Sequence, residues 1–233
     1  ITLGNLGNLL LYLGAYDEAK DHYERALRVQ REIGARNDEA LSVGNLGLVY
    51  HYLGDDETAR RYSYQALQMA QETGERRTEG AMWMKLGHAL AGLGLLDEAA
   101  KAYWESVTLR RETGWPILAL EPLAGLARVA LAQGDEAQAQ ALVEEILEHL
   151  ESGGALDGII SPFQVFLTCY CVLEAGGDSR ALEILATAHD QLQERAAKIT
   201  DEKLRRSYLE NVVAHRELLQ AFERAGSHVA RMK

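Results

Sequence analysis

Trp83–Tyr103 reads WMKLGHALAGLGLLDEAAKAY. Trp83, Leu86 and Leu90 recur at three- and four-residue steps, the spacing that puts apolar side chains on one face of a helix. Leu93-Gly94 interrupts that pattern, and Asp97-Glu98 opens a second helix, where acidic groups suit the positive end of the helix dipole. Ala99 and Tyr103, four apart, begin its packed face. Two helices joined by a turn at a glycine form a hairpin.

The same unit recurs on both sides. Asn5-Leu6-Gly7, Asn45-Leu46-Gly47, Lys85-Leu86-Gly87 and Gly125-Leu126-Ala127 are 40 residues apart. The second half keeps step: Leu13-Gly14 precedes Ala19, Leu53-Gly54 precedes Ala59, Leu93-Gly94 precedes Ala99, and Gln133-Gly134 precedes Ala139. A degenerate copy runs through Gly176 and Ala181, after a linker containing Ser152-Gly153-Gly154 and Ser161-Pro162. In the second unit Val43, Leu46, Tyr50 and Leu53 form one stripe, and Ala59, Tyr62, Ala66, Leu67 and Ala70 the next. Gly34, Gly74 and Gly114 fall where the second helices end, as C-terminal caps. Self-similarity at such a period is the mark of a solenoid. The expected hairpins are 1–34, 35–74, 75–114, 115–154 and 159–198.

Glycine inside a helix costs roughly 1 kcal/mol relative to alanine. Its return at Gly7, Gly47 and Gly87, with Ala127 in the fourth place, implies that the helices approach closely there. The period ends near residue 200. From Asp201 to Ala225 the chain reads as one long helix, with Leu204, Tyr208, Val212, His215, Leu219 and Phe222 as its stripe and Gly226 as its stop. An open solenoid end needs a cap, so 201–226 is expected to be a capping helix.

Composition agrees with an all-helical fold. Only three prolines occur in 233 residues, and hydrophobic residues make up 47%. The formal charge is −11, which opposes phosphate backbones and argues against nucleic-acid binding. Cys169 and Cys171, two apart on a helix, point different ways and cannot easily pair. No stretch approaches the roughly 18–20 apolar residues that span a bilayer, and no signal peptide is evident, so a cytoplasmic setting is expected. Ile1 already lies within a helical pattern, which reads as a piece cut from a longer chain.

No catalytic or metal motif emerges. His22, His51, His88, His149, His189, His215 and His228 show no zinc-ligand spacing. There is no phosphate-binding glycine loop and no Gly-x-Ser-x-Gly elbow. The expectation is a non-enzyme with no cofactor.

Trp83-x-x-Leu86-Gly87-x-x-Leu90 followed by Ala99-x-x-x-Tyr103 resembles the tetratricopeptide repeat, over about residues 1–200. The period of 40 departs from the usual 34, and the proline after the second helix is missing. Units of this length resemble those of animal spindle-orientation adaptors and bacterial regulators. Glu202–Val212 also looks like the tail of bacterial signalling ATPases that carry a tetratricopeptide sensor. The resemblance implies an all-α, right-handed α-solenoid of stacked antiparallel helix pairs that binds protein or peptide on its concave face.

It also implies that the first helix of each unit lines that face. The facing positions are then Ile1, Asn5, Asn8 and Tyr12; Leu41, Asn45, Leu48 and Tyr52; Ala81, Lys85, His88 and Gly92; and Glu121, Gly125, Arg128 and Ala132. The expected peptide groove comprises Asn5, Asn8, Tyr12, Asn45, Leu48, Tyr52, Lys85, His88 and Arg128. It reads as amide-rich at one end and cationic at the other. The partner implied is a protein or peptide, with an acidic group or a free carboxylate. The alternative is a ligand-sensing domain of a larger signalling ATPase or transcription regulator. Gly4 and Ala81 stand where a chaperone-tail clamp would need basic residues.

Overall fold

The computed structural model describes the backbone of residues 2–156 and 158–231 and the side chains as far as Gly226. Ile1 and the side chain of His228 lie outside the described residues. Helices follow one another throughout: α1 (Leu3–Tyr12), α2 (Tyr16–Ile33), α3 (Arg36–Tyr52), α4 (Asp56–Thr73), α5 (Arg76–Gly92), α6 (Leu96–Glu112), α7 (Leu120–Ala132), α8 (Glu136–Glu151), α9 (Pro162–Ala175), α10 (Ala181–Ala197), α11 (Glu202–Glu210) and α12 (Val213–Arg231). A short 3₁₀ turn, Pro116–Ala119, leads into α7. Consecutive helices pack on one another, and α3 reaches α5, α5 reaches α7 and α7 reaches α9. This is a right-handed solenoid of helix pairs.

The six residues beyond the usual repeat length lie in the helices. In the second unit α3 has 17 residues and α4 has 18, and only Leu53–Asp55 separates them. Such short connections need a left-handed residue. At the end of α2, Gly34 has φ 69°, and the Ala35 amide donates back to the Gln30 carbonyl at 2.9 Å. Glycine takes this conformation without the steric cost of a Cβ.

Ala19, Ala59, Ala99 and Ala139 all have zero exposure. They are the points where each second helix meets the first. A Cβ on Gly87 would stand 2.7 Å from the Tyr103 ring, and one on Gly125 would stand 2.6 Å from it. Tyr103 is therefore held between its own hairpin and the next. Gly7 faces Tyr23 in the same way, whereas Gly47 faces the smaller Ser63. Cys169 is buried, Cys171 is partly buried, and both are free thiols.

The C-terminal segment differs from the expected single helix. α11 stops at Glu210 and α12 starts at Val213, and α12 runs through Gly226 without ending there. The break lets the two parts serve different neighbours. α12 packs on α9 and α10, burying Ala214, Leu218 and Ala221, with Phe222 stacked on His189 at 3.8 Å. α11 instead leans onto the first unit. Carbonyls freed at the break are recovered: His215 Nδ1 lies 2.7 Å from the Tyr208 carbonyl oxygen, and Arg216 donates to that of Glu210 at 2.9 Å. Gly226 fails as a stop because one helical glycine costs only about 1 kcal/mol.

Those contacts bring the two ends together. Asn211 Nδ2 donates to the Gly14 carbonyl at 3.2 Å, and Lys203 bonds Glu18 at 3.0 Å. The hydroxyls of Tyr12 and Tyr208 are 3.1 Å apart, and Arg195 donates to Tyr12 at 3.3 Å. The C-terminal helices thus cap the last hairpin and also reach the first.

Candidate functional site

The concave face holds a cavity of about 780 Å³ between α1, α2, α3 and the start of α5. Asn5, Asn8, Tyr12, Asn45 and Lys85 line it, with Val29, Leu41 and Ala81 as apolar wall and Asp38 at the rim. Gly158, Ile159 and Ile160, from the α8–α9 connection, close one side. That volume lies within the roughly 300–1,000 Å³ of ordinary ligand pockets.

A directed chain of hydrogen bonds crosses three units along this wall. Lys85 Nζ donates to Asn45 Oδ1 at 2.5 Å. Asn45 Nδ2 donates to Asn8 Oδ1 at 3.1 Å, and the Tyr23 hydroxyl donates to the same oxygen at 2.7 Å. The residues are 40 and 37 apart in sequence and meet because the repeat stacks them in register. Asn8 Oδ1 accepts two hydrogen bonds and Asn45 Oδ1 one, which leaves amide N–H groups on both residues for the wall to offer.

Lys85 is 3% exposed. Burial pulls its amine down from 10.5 to about 7, helped by the neighbouring Arg110 guanidinium and opposed by Glu121. Its protonated form is thus costly unless an anion comes close.

The expected site residues divide into two sets. Asn5, Asn8, Tyr12, Asn45 and Lys85 converge on the cavity. Leu48, Tyr52, His88 and Arg128 are absent from its lining. Leu48 and His88 are buried, which corrects the expectation that they face the groove. His88 Nδ1 lies 2.8 Å from the Tyr103 hydroxyl, and its ring stacks on His51 with centroids 5.7 Å apart. Burial, with His51 and Arg128 nearby, holds His88 well below the usual imidazole range. It is neutral at pH 7, so the expected cationic end loses one of its three charges.

Two contributors escaped sequence reasoning. Glu121 was placed on the facing column but not in the groove; it is 5% exposed, and its Oε2 accepts from the Ile160 amide at 3.2 Å. Tyr23, from a second helix, orients Asn8. The recurrence of tyrosine at Tyr23 and Tyr103, each bonded to the residue after the unit's glycine (Asn8 and His88), was the available signal. In the second unit the pair is Ser63 and Leu48, and the Ser63 hydroxyl is buried without a partner. Among the described residues, no three of His, Cys, Asp and Glu cluster as metal ligands, and no helix is long and apolar enough to cross a membrane.

The helix pairs stack as a repeat solenoid, and this wall is built from its first three units. Residues 1–72 and 80–113 each match a tetratricopeptide repeat family model. No curated protein sequence matches the chain. Among solved structures it is similar to a Rap protein complexed with Competence and Sporulation Factor, at 14% identity and TM-score 0.64, covering 99% of this chain and 64% of that one. The Rap conjugation gene regulator of the plasmid pLS20, in complex with a Phr peptide, aligns at 15% identity and TM-score 0.68, covering 97% and 73%. A signal transduction ATPase of Pyrococcus horikoshii with a tetratricopeptide repeat sensor aligns at 21% identity and TM-score 0.56, covering 83% of this chain and 30% of that one. The chain thus spans about two thirds of the first of these and under one third of the last.

Proposed function

We propose that this chain is a peptide-binding scaffold, without turnover of its own, that takes a short extended segment into the cavity between α1, α3 and α5. The observation that carries this reading is the Lys85–Asn45–Asn8 relay across three units. Its free N–H groups suit the carbonyl oxygens of an extended backbone. Lys85 suits a carboxylate, because a charge-assisted hydrogen bond is the stronger kind and an incoming anion restores the favoured state of a buried ammonium. The ligand is therefore a peptide with an acidic side chain or a free C-terminus, met in the cytoplasm. The Phr peptide in the complex of the plasmid regulator, which shares the fold, supports the reading.

The same site would serve a ligand-sensing domain of a larger signalling protein. The observation favouring that version is Tyr12, which lines the cavity and also bonds Tyr208 and Arg195 of the C-terminal helices. The test is fluorescence polarisation with a library of nine-residue peptides carrying free or amidated C-termini. The expected result is selection of acidic or free-carboxyl members, weakened by salt, and weakened at least tenfold in Asn45→Ala. Binding indifferent to carboxylate, salt and Asn45 would overturn it.

A further inference from the structure

The concave face is already partly filled by the chain itself. Between α8 and α9, Gly158–Ser161 crosses it as non-helical backbone. The Ser161 hydroxyl lies 2.7 Å from that of Tyr52, a residue 109 positions away in the second unit. The Ile160 amide donates to Glu121 of the fourth unit. Ile159 is 8% exposed. This short strap is therefore held by two side chains from the facing columns of different units, by an amide bond and a hydroxyl bond, as a bound peptide would be.

Its position divides the face. On one side lies the 780 Å³ cavity. On the other, a second hollow is lined by Tyr12, Tyr16, Tyr52, Ser161, Pro162 and His215, with Ile160 on the shared wall. Tyr12 and Ile160 belong to both. The attachment is also incomplete: Glu121 Oε1 is buried and has no partner. Burial pushes the Glu121 carboxyl up, opposed by the Ile160 amide, the Arg110 guanidinium and the backbone and hydroxyl of Ser161, so the strap offsets only part of the cost of burying it.

We propose that Gly158–Ser161 is an intramolecular ligand of a second subsite, formed by Tyr52 and Glu121, and that a peptide entering the groove displaces it. The subsite takes an extended segment with a backbone N–H for Glu121 and a hydroxyl side chain, Ser or Thr, for Tyr52. This rests on the peptide-binding reading and adds the regulation of that site. Apparent affinity falls by the fraction of molecules in which the subsite is open. Loosening the strap therefore tightens binding without adding any contact to the peptide.

The experiment pairs amide hydrogen exchange with titration, using the nine-residue library on the parent protein and on Ser161→Ala. The substitution removes one hydrogen bond from the strap, and the expected gain in affinity is about three- to tenfold. Saturating peptide should speed exchange of the Ile160 amide in the parent. A peptide that binds while Ile160 exchange is unchanged or slowed, and equally well in Ser161→Ala, refutes the strap and leaves the groove reading standing. Peptides that bind only Ser161→Ala support the strap directly. If no peptide binds either protein, both readings fall together.

Discussion

Lys85→Met should make the protein more stable and a poorer binder. The amine falls from 10.5 to about 7 on folding, so between those values the unfolded chain holds more protons than the native one. Stability therefore rises with pH across that window, and near pH 7 most of the penalty is present. One pKa step is about 1.4 kcal/mol, which puts the penalty at roughly 4 kcal/mol. Methionine keeps an unbranched side chain of similar length and carries no charge to desolvate. The loss is the bond to Asn45, about 1.5–3 kcal/mol for a charged donor. A net gain of about 1–3 kcal/mol remains. For a domain of this size that is a rise in melting temperature of roughly 2–12 °C. Thermal melts followed by circular dichroism at pH 7 and at pH 10.5 would measure it, with the difference shrinking at the higher pH, where the folded lysine is neutral and the unfolded one is already half so. The same protein should bind a carboxylate peptide roughly tenfold to a hundredfold more weakly, the worth of one charge-assisted bond. A Lys85→Met protein that melts no higher than the parent at pH 7, or keeps the peptide affinity, refutes the argument.

Gly87→Leu should cost at least about 1–3 kcal/mol, because a Cβ alone already meets the Tyr103 ring at 2.7 Å and overpacking of this kind displaces backbone; an unmoved urea midpoint would show that the contact relaxes freely. Removing residues 201–233 should uncover the α9–α10 face now covered by Ala214, Leu218 and Ala221 and release Tyr12 from Tyr208, so the truncated chain is expected to aggregate in size-exclusion chromatography, and a monodisperse, equally stable product would count against the cap. His215, 4% exposed, is pulled by burial from 6.5 to about 4, with Arg195 adding to the effect and the Tyr208 carbonyl opposing it. The unfolded chain binds the extra proton between those values, so stability should fall by up to about 3 kcal/mol as pH drops from 6.5 to 4. His215→Phe should flatten that part of the curve, and an unchanged slope in chemical denaturation would assign the acid sensitivity elsewhere.

The candidate site was legible in part, and the division has a physical basis. Asn5, Asn8, Tyr12, Asn45 and Lys85 could be placed on one wall because a 40-residue period and a 3.6-residue helical step together fix which side chains form a column. The same arithmetic put Leu48, His88 and Arg128 in the column, yet Leu48 and His88 are buried. Periodicity gives the direction of a side chain from its helix axis; it does not say what lies in front of it. His88 is taken by Tyr103, and the middle of the face is crossed by a connection whose sequence, Gly158-Ile159-Ile160-Ser161, has no periodic counterpart elsewhere in the chain.

What the sequence by itself determined is everything that repeats: the helix pairs, the glycines where each second helix ends, the alanines at zero exposure, and the close approach at Gly7 and Gly87. These depend on local propensity and nearest-neighbour packing, which every unit restates. Tertiary structure alone decided what happens once. It set the break at Asn211–Val212, the reach of α11 to Gly14, the strap across Tyr52 and Glu121, and the burial that lowers Lys85. The α11 contact with Gly14 and the strap contact with Tyr52 join residues 197 and 109 positions apart, through contacts that no period encodes and that form only when the stack brings its distant parts together.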